Sequence, residues 1–504
     1  MTVILTRRAD INLDSFRRVA WQGEGVRLSD TALQVIAACR RSFLQLIDKD
    51  PDLVIYGVTT ATGELASRRL RAEERDRHAR LKPFAAATSF GDPLPDRVVR
   101  GIVLARLANF IEGNAATTPR IADAVAAMLE GGPMPPVPGA GQGGAGEILA
   151  LYPLFAGLST RFDLEVKERG SLINGSPCAA ALVADAALAA RRRLDAAHKV
   201  FALSIEAFRA PLEHYDAALE SLWGDEHEAA ALRGLRGFLA GAGGGRRNFQ
   251  APVSYRILPR VLGHAHRATA AAERAATLSL RSVSDNPVYV PPDDEHPWGR
   301  CLSTGGYHNA MAAPALDDLA GIWADICLLC DRHSSKLLIG RVSLLPDLLM
   351  VGREASDADG HGNIGYVQGG NAQNRKTFVK SMAKLRRYLP ESRFAGGNAG
   401  GTRKHARNIP EVPADYPAVP AANNRVRNFV EGEAYDRSRH MMEAWASRGD
   451  GGAPIRRACL TLRKYTAYCR EVTEVGVGPE NTTQKMASPG EGPIRGGFRD
   501  ISMT

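Results

Sequence analysis

The chain has no cysteine framework. Its 504 residues include seven cysteines, Cys39, Cys178, Cys301, Cys327, Cys330, Cys459 and Cys469. An odd number at irregular spacing excludes a disulfide scaffold and predicts reduced thiols in a cytoplasmic protein. The one CxxC pair, Cys327 and Cys330, falls within the apolar-periodic stretch "LDDLAGIWADICLLCDRH". No second Cys or His pair stands at zinc spacing, so core thiols are expected and no metal. His264 and His266 are two apart in a helical pattern, which points them to different faces and disfavours shared ligation. Long apolar runs are also missing, and "MTVILTRRADINLD" has only a few apolar residues before its arginines, so neither a signal peptide nor a membrane partner is expected. A dense basic run is absent too. Lys plus Arg number 64 against 55 Asp plus Glu, an excess too thinly spread for a nucleic-acid groove, although compatible with an anionic small substrate.

What the chain does have is helix. Apolar residues recur at three- and four-residue intervals over 95–113, 178–212, 256–280, 311–338, 375–389 and 453–472, with alanine at the close contacts. Several of these exceed ordinary globular helices of about 8 to 20 residues and predict a mainly α protein built on a long-helix bundle. Strand signals are few and short, near "DLVIY", "DLEVK" and "NPVYV". No linker is sharp enough to separate independent domains. The chain is read as an N-terminal region over 1–200, a central long-helix bundle over 201–475, and a flexible C-terminal tail over 476–504 whose composition is that of disorder.

The polar residues of interest lie in loops. Gly139, Gly141 and Gly144 form a GxGxxG, which would suit a dinucleotide if a buried strand preceded it. The preceding Pro133, Pro135, Pro136 and Pro138 exclude a central strand, and a plain turn into the helix beginning near Glu147 explains the segment. Tyr56, in "IYGVTTATGELASRR", ends an expected strand; its phenol can act as a base where positive charge or hydrogen-bond donors stabilise the phenolate, or it can anchor a loop. Asn174, in "SLINGSPCAA", can orient a substrate or cap a helix. Gln250, Tyr255 and Arg256, in "NFQAPVSYRILPRVLG", stand at a helix start, where an arginine fork suits a carboxylate but is as often a surface group.

Taken in order, these segments resemble the histidine, phenylalanine and tyrosine ammonia-lyase family with its aminomutases. "YGVTTATG" is similar to that family's Tyr-Gly-Val-Asn-Thr-Gly-Phe-Gly loop, with Tyr56 at the catalytic tyrosine. "GDPLPDRVVRGIVLARLANFIEGNAATTP", "LINGS", "FQAPVSYRILPRVLG", "SVSDNPVYV" and "GGYHNAMA" follow in family order over about Ile55 to Gln368. The resemblance implies a largely helical protomer of the ammonia-lyase type, with a smaller site-bearing N-terminal region, assembled as a homotetramer whose active sites are shared between subunits. It also implies catalytic roles for Tyr56, Asn174, Gln250 and Arg256, with Arg256 on the substrate carboxylate and Tyr56 taking a β-proton. Tyr307, His308, Tyr255 and Gln368 would bind substrate.

One departure governs the chemistry. The family reads Gly-Ser-Val-Gly-Ala-Ser-Gly-Asp where this chain has "GQGGAGE", and its Ala-Ser-Gly cyclises and loses water to give methylidene-imidazolone. Around Gly144, Ala145 and Gly146 no hydroxyl remains to be eliminated, so this cofactor loop is degenerate and no cofactor is expected. Val253 stands at the family's second catalytic tyrosine, Ala251 replaces the neighbouring aspartate, and Ala86 lies near the Ser-His pair of histidine-specific members. Arg403, Lys404 and Arg407 stand where an acidic segment would be. Two readings follow. One is an enzyme of amino acid or secondary metabolism that eliminates, cyclises or condenses an amino-acid-like substrate without the electrophile. The other is a non-catalytic relative that binds a small molecule or pairs with an active homologue.

Overall fold

A computed structural model describes residues 2–50, 52–81, 89–140, 146–242 and 244–344. The helices expected over 375–389 and 453–472, the 476–504 tail, the 403–407 basic segment, Cys459, Cys469, Gln368, Gly144 and Ala145 lie outside the described residues.

The described chain is mainly helical. It opens with β1 (Thr2–Leu5), which pairs in parallel with β2 (Gly25–Leu28) across the short α1 (Leu13–Phe16). Helices α2 (Asp30–Lys49) and α3 (Ala72–Ala79) follow. Then come β3 (Phe90–Pro93), α4 (Asp96–Leu107), α5 (Pro119–Ala127) and β4 (Pro138–Ala140). The Ser29 side chain caps α2 by accepting Ala32 N–H, and Thr118 does the same for Ile121 ahead of Pro119, so both starts carry the side-chain acceptor a helix N-terminus requires. Next are α6 (Ile148–Arg161), α7 (Glu168–Ile173), α8 (Pro177–Phe208), α9 (Ala218–Trp223) and α10 (Glu226–Phe238). The described part ends with α11 (Val253–Arg256), α12 (Leu258–Arg281), β5 (Val288–Val290), β6 (Arg300–Leu302), α13 (Ala312–Leu338) and α14 (Gly340–Ser343).

The axis of the molecule is α8, 32 residues long and so roughly 48 Å at the α-helical rise. It packs against α4, α10, α12 and α13. Small residues make that possible. Ala180, Ala181, Ala184, Ala187 and Ala190 are buried along α8, so neighbouring backbones approach closely. At the crossing of α12 and α10, a Cβ on Gly263 would stand 2.8 Å from Glu228 Cα, so only glycine fits there. One continuous apolar core runs from Val3 to Leu329. Helix α8 passes through residue 200 without interruption, and that core joins what lies on either side of the expected regional boundary.

Several expectations are corrected. The pattern at 256–280 is α12, which starts at Leu258 because a separate short helix, α11, ends at Arg256. The helix expected to reach 212 stops at Phe208, where Arg209 turns left-handed at φ 53°. "NPVYV" supplies β5, but "DLVIY" and "DLEVK" are loops, because neither has a neighbouring strand to pair with. Glu168–Phe208 is long and apolar enough to cross a membrane, contrary to expectation. Most of that stretch is buried within the bundle, and its apolarity is that of a helix packed on several sides. The strand containing Gly139 is a three-residue partner of β3 in an antiparallel ribbon, not the parallel sheet edge that a dinucleotide loop needs.

His264 and His266 do face different ways, the former exposed, the latter turned toward α8. His198 Nδ1 donates to the Leu194 carbonyl at 2.9 Å, which leaves its Nε2 as an acceptor for His266 Nε2–H at 3.3 Å. Burial lowers the pKa of both imidazoles, that of His266 to about 4, with each neighbouring positive charge adding to the effect there. The folded state therefore holds the neutral pair, while the unfolded chain takes up protons near pH 6.5. Stability present above that pH is lost as pH falls from about 6.5 toward 4. Denaturant midpoints at pH 7.5 and pH 5 will show this loss, and the His198→Gln, His266→Gln double variant will show a shallower pH slope than the parent.

Candidate active site

Tyr56 sits in a tightly wired loop. The Ile55 carbonyl accepts N–H groups of Val58, Thr59 and Thr60 at 3.1, 2.9 and 3.2 Å. Thr59 Oγ1 accepts from Ile55 N–H and donates to the Leu53 carbonyl, both at 2.7 Å. Gly57 takes φ +67°, and a Cβ there would come to 3.0 Å of Thr62, so the turn behind Tyr56 calls for glycine. The loop closes on the tyrosine itself, whose phenol oxygen accepts Gly63 N–H at 3.0 Å.

Asn174 faces the same space from another direction. It ends α7, and its Nδ2 donates to the Asn286 carbonyl at 2.6 Å. Gly175 follows at φ +120°, with Ser284 Oγ only 2.7 Å from where a Cβ would be. Beneath them, buried Arg106 donates through Nη1 to the Ser171 and Asn174 carbonyls at 3.0 and 2.6 Å. Capping of α8 falls not to Asn174 but to Glu147, whose carboxylate accepts Cys178 and Ala179 N–H at 2.5 and 2.7 Å. Burial nonetheless pushes Glu147 up to about 7, the two backbone donors only partly offsetting it.

Between these elements lies a cavity of about 230 Å³ bordered by Tyr56, His78, Tyr152, Lys167, Arg169 and Asn174. That is below the roughly 300–1,000 Å³ of pockets for drug-sized ligands, and suits a small metabolite. Lys167, held left-handed at φ 75°, donates to Asp285 at 2.7 Å and Ser171 Oγ at 3.0 Å, both partners buried. Arg169 donates to His78 Nε2 at 2.9 Å and lies within electrostatic reach of Tyr56 and Tyr152. Burial, with the adjacent Arg169 cation, lowers the His78 pKa, so the imidazole is neutral with its proton on Nδ1. Burial raises the Tyr152 phenol. The cavity thus combines two phenols, a neutral imidazole, an amide and a guanidinium, a set able to move one proton and hold one anion.

The structure brings together Tyr56 and Asn174, but not the other two expected catalytic residues. Gln250 is exposed ahead of α11. Arg256 is half-buried, with its Nε donating to the Ala251 carbonyl at 3.1 Å. Neither lines the cavity of this chain. Tyr255 is corrected from ligand contact to core: it is fully enclosed, stacked on Phe208 and His333 with ring centroids 4.5 and 3.8 Å away. Because His333 Nε2 donates to the Ser254 carbonyl, its Nδ1 accepts from Ser204, which in turn accepts from the Tyr255 hydroxyl. Tyr307 is half-buried and comes within 3.9 Å of a Cβ position on Gly146, which takes φ +97°; His308 is exposed.

Sequence reasoning did not single out His78, Tyr152, Lys167 or Arg169. A signal existed for three of them. Tyr152 is the one polar group in the apolar run "ILALYPLF", and Lys167 and Arg169 are charges immediately ahead of the Asn-Gly turn. For His78, on an otherwise charged surface-type helix, there was none.

A family model described as aromatic amino acid lyase matches residues 11–159 and 154–370. A histidine ammonia-lyase of Deinococcus radiodurans is 29% identical over 375 residues, covering 68% of this chain and 69% of the relative. Among solved structures, a tyrosine aminomutase from Streptomyces globisporus superposes with TM-score 0.64 at 18% identity, covering 92% of this chain and 94% of that one. The ergothioneine-degrading enzyme of Treponema denticola gives TM-score 0.66 at 16% identity, covering 93% and 99%.

Removing one partner of the buried Lys167–Asp285 pair strands the other charge without water. Asp285→Ala is expected to cost about 3–5 kcal/mol, read as a lowered urea midpoint. Exchange at exposed Asp294 will leave the midpoint unchanged.

Proposed function

The chain belongs to the aromatic amino acid lyase family, and from that footing we propose that it is a lyase-type enzyme acting on an amino acid or amino-acid-derived carboxylate without methylidene-imidazolone. The observation that carries this reading is the convergence of Tyr56, Asn174, Tyr152 and Arg169 on one small cavity. The residues present do not fit the family's electrophile. From Pro138 to Glu147 the chain is "PGAGQGGAGE", with no hydroxyl to eliminate, and the side chain of Glu147 is committed to the α8 cap.

In this reading Tyr56 takes the proton from a substrate carbon, the freed electron pair forms the new bond, and the leaving group departs with its own pair. Elimination, cyclisation and condensation share that first step. Lacking covalent activation, the substrate must carry a group that leaves more readily than a plain amine. The Treponema neighbour, described as degrading ergothioneine, supports looking beyond the common amino acids.

The proposal includes a homotetramer in which the Gln250–Arg256 segment of one subunit completes the cavity of another, Arg256 receiving the substrate carboxylate. The surface of that segment supports it. Phe249, Val253 and Ile257 are 56%, 59% and 42% exposed, an apolar run beside two polar side chains that suits burial against a second copy.

Intact mass is expected to equal the encoded mass, with no loss of water. When a panel of amino acids and their N- and O-substituted derivatives is offered, mass spectrometry should detect an unsaturated or cyclised carboxylate. Tyr56→Phe should lower that rate by about 10²–10⁴-fold with unchanged thermal stability, and Arg256→Ala should raise KM. Coexpressing the two variants should restore part of the activity, since mixed tetramers contain sites with neither defect. Turnover that survives Tyr56→Phe sinks the assignment, and binding without any turnover by the parent protein favours a non-catalytic binder.

A further inference from the structure

Two cations border the cavity, and they are wired in opposite ways. Lys167 is neutralised in place by Asp285. Arg169, two residues on, has His78 as its hydrogen-bond partner and makes no ion pair with a carboxylate among the described residues. Carboxylates of the neighbouring segments are committed to other partners. Asp285 accepts from Lys167, Ser171 and the Asn286 N–H. Glu168 accepts from Thr118 and the Glu165 N–H, Glu147 caps α8, and Glu165 pairs with Arg40.

The free donors of Arg169 are not sealed in protein either. Arg106 Nε and Nη2 and Arg40 Nε are enclosed atoms without partners, whereas no nitrogen of Arg169 is in that condition. Its Nε and Nη1 therefore keep accessible surface, on a side chain that lines the cavity. A guanidinium removed from bulk water, given a neutral acceptor on one side and open N–H groups on the other, presents the planar fork that a carboxylate fills.

We propose that Arg169 is the cavity's own anion anchor, and that the substrate is an amino-acid-derived dicarboxylate whose second carboxylate pairs with it. This rests on reading the cavity as the active site, with the first carboxylate received by Arg256. The His78–Arg169 hydrogen bond orients the fork: an imidazole acceptor holds Nη2, which turns the remaining edge toward the ligand. Specificity follows from charge, because a neutral side chain in that place leaves the guanidinium unpaired.

Titration calorimetry on the full-length protein with two isosteric pairs, L-aspartate against L-asparagine and L-glutamate against L-glutamine, tests this. At least one acid should bind about tenfold more tightly than its amide. Arg169→Gln should bring that ratio to within about twofold while leaving affinity for the amide nearly unchanged, and Arg169→Lys should retain part of the preference. Thermal midpoints of both variants will establish that they fold. The proposal is overturned if neither acid binds, if acid and amide bind alike, if the preference survives Arg169→Gln, or if that variant weakens acid and amide equally, which would make Arg169 the receptor of the first carboxylate. Arg169-dependent preference without any conversion of the acid would leave this inference standing and sink the enzymatic reading. Tyr56-dependent conversion of neutral amino acids, with no acid preference, would do the reverse.

Discussion

Lys167 and Asp285 meet 2.7 Å apart with almost no exposure to water, and the rest of the site depends on that contact. A buried ammonium and carboxylate cannot separate without leaving a charge uncompensated, so the pair fixes α7 against the segment that follows α12. Everything nearby is registered to it. Ser171 shares the Asp285 oxygen, Asn174 reaches the Asn286 carbonyl, and Ser284 Oγ accepts Ser176 N–H at 3.1 Å. Gly175 then fits against Ser284 only because it has no side chain. Such a network is too polar to be cheap, and its value here lies in holding Asn174 and Arg169 at one edge of the cavity.

The bundle supplies the complement. Alanine along α8 and glycine at the crossing of α12 and α10 let long helices approach closely. Glu147, immediately ahead of α6, caps α8 through its side chain, which ties the start of α6 to the main helix without any covalent device. Away from the cavity, His198, His333 and Tyr255 are locked into the bundle by ring packing and by hydrogen bonds, those of the two histidines directed by backbone carbonyls.

Much of this was legible along the chain. Tyr56 and Asn174 could be named because each sits in a short loop with a glycine at a constrained position, and such loops carry their geometry in local sequence. The long helices were visible in their periodicity. What could not be read was which side chains from distant segments would face one another. His78 and Arg169 are 91 positions apart, and Lys167 and Asp285 are 118 apart. Tyr255 misled for the same reason: its neighbours in sequence suggest a site, while Phe208 and His333, contributed by α8 and α13, enclose it.

The amino-acid sequence by itself determined that the protein is mainly helical, that its loop motifs stand in the order of a lyase family, and that the stretch from Pro138 to Glu147 contains no hydroxyl side chain. These are properties of period, order and composition, which need no partner segment to exist. Only the tertiary structure decided that Arg169 and His78 join Tyr56 at the cavity, that Lys167 is neutralised while Arg169 is not, and that Tyr255 belongs to the core. Charge pairing and burial are relations between segments far apart in the chain, and they come into being only when helix packing brings those segments together.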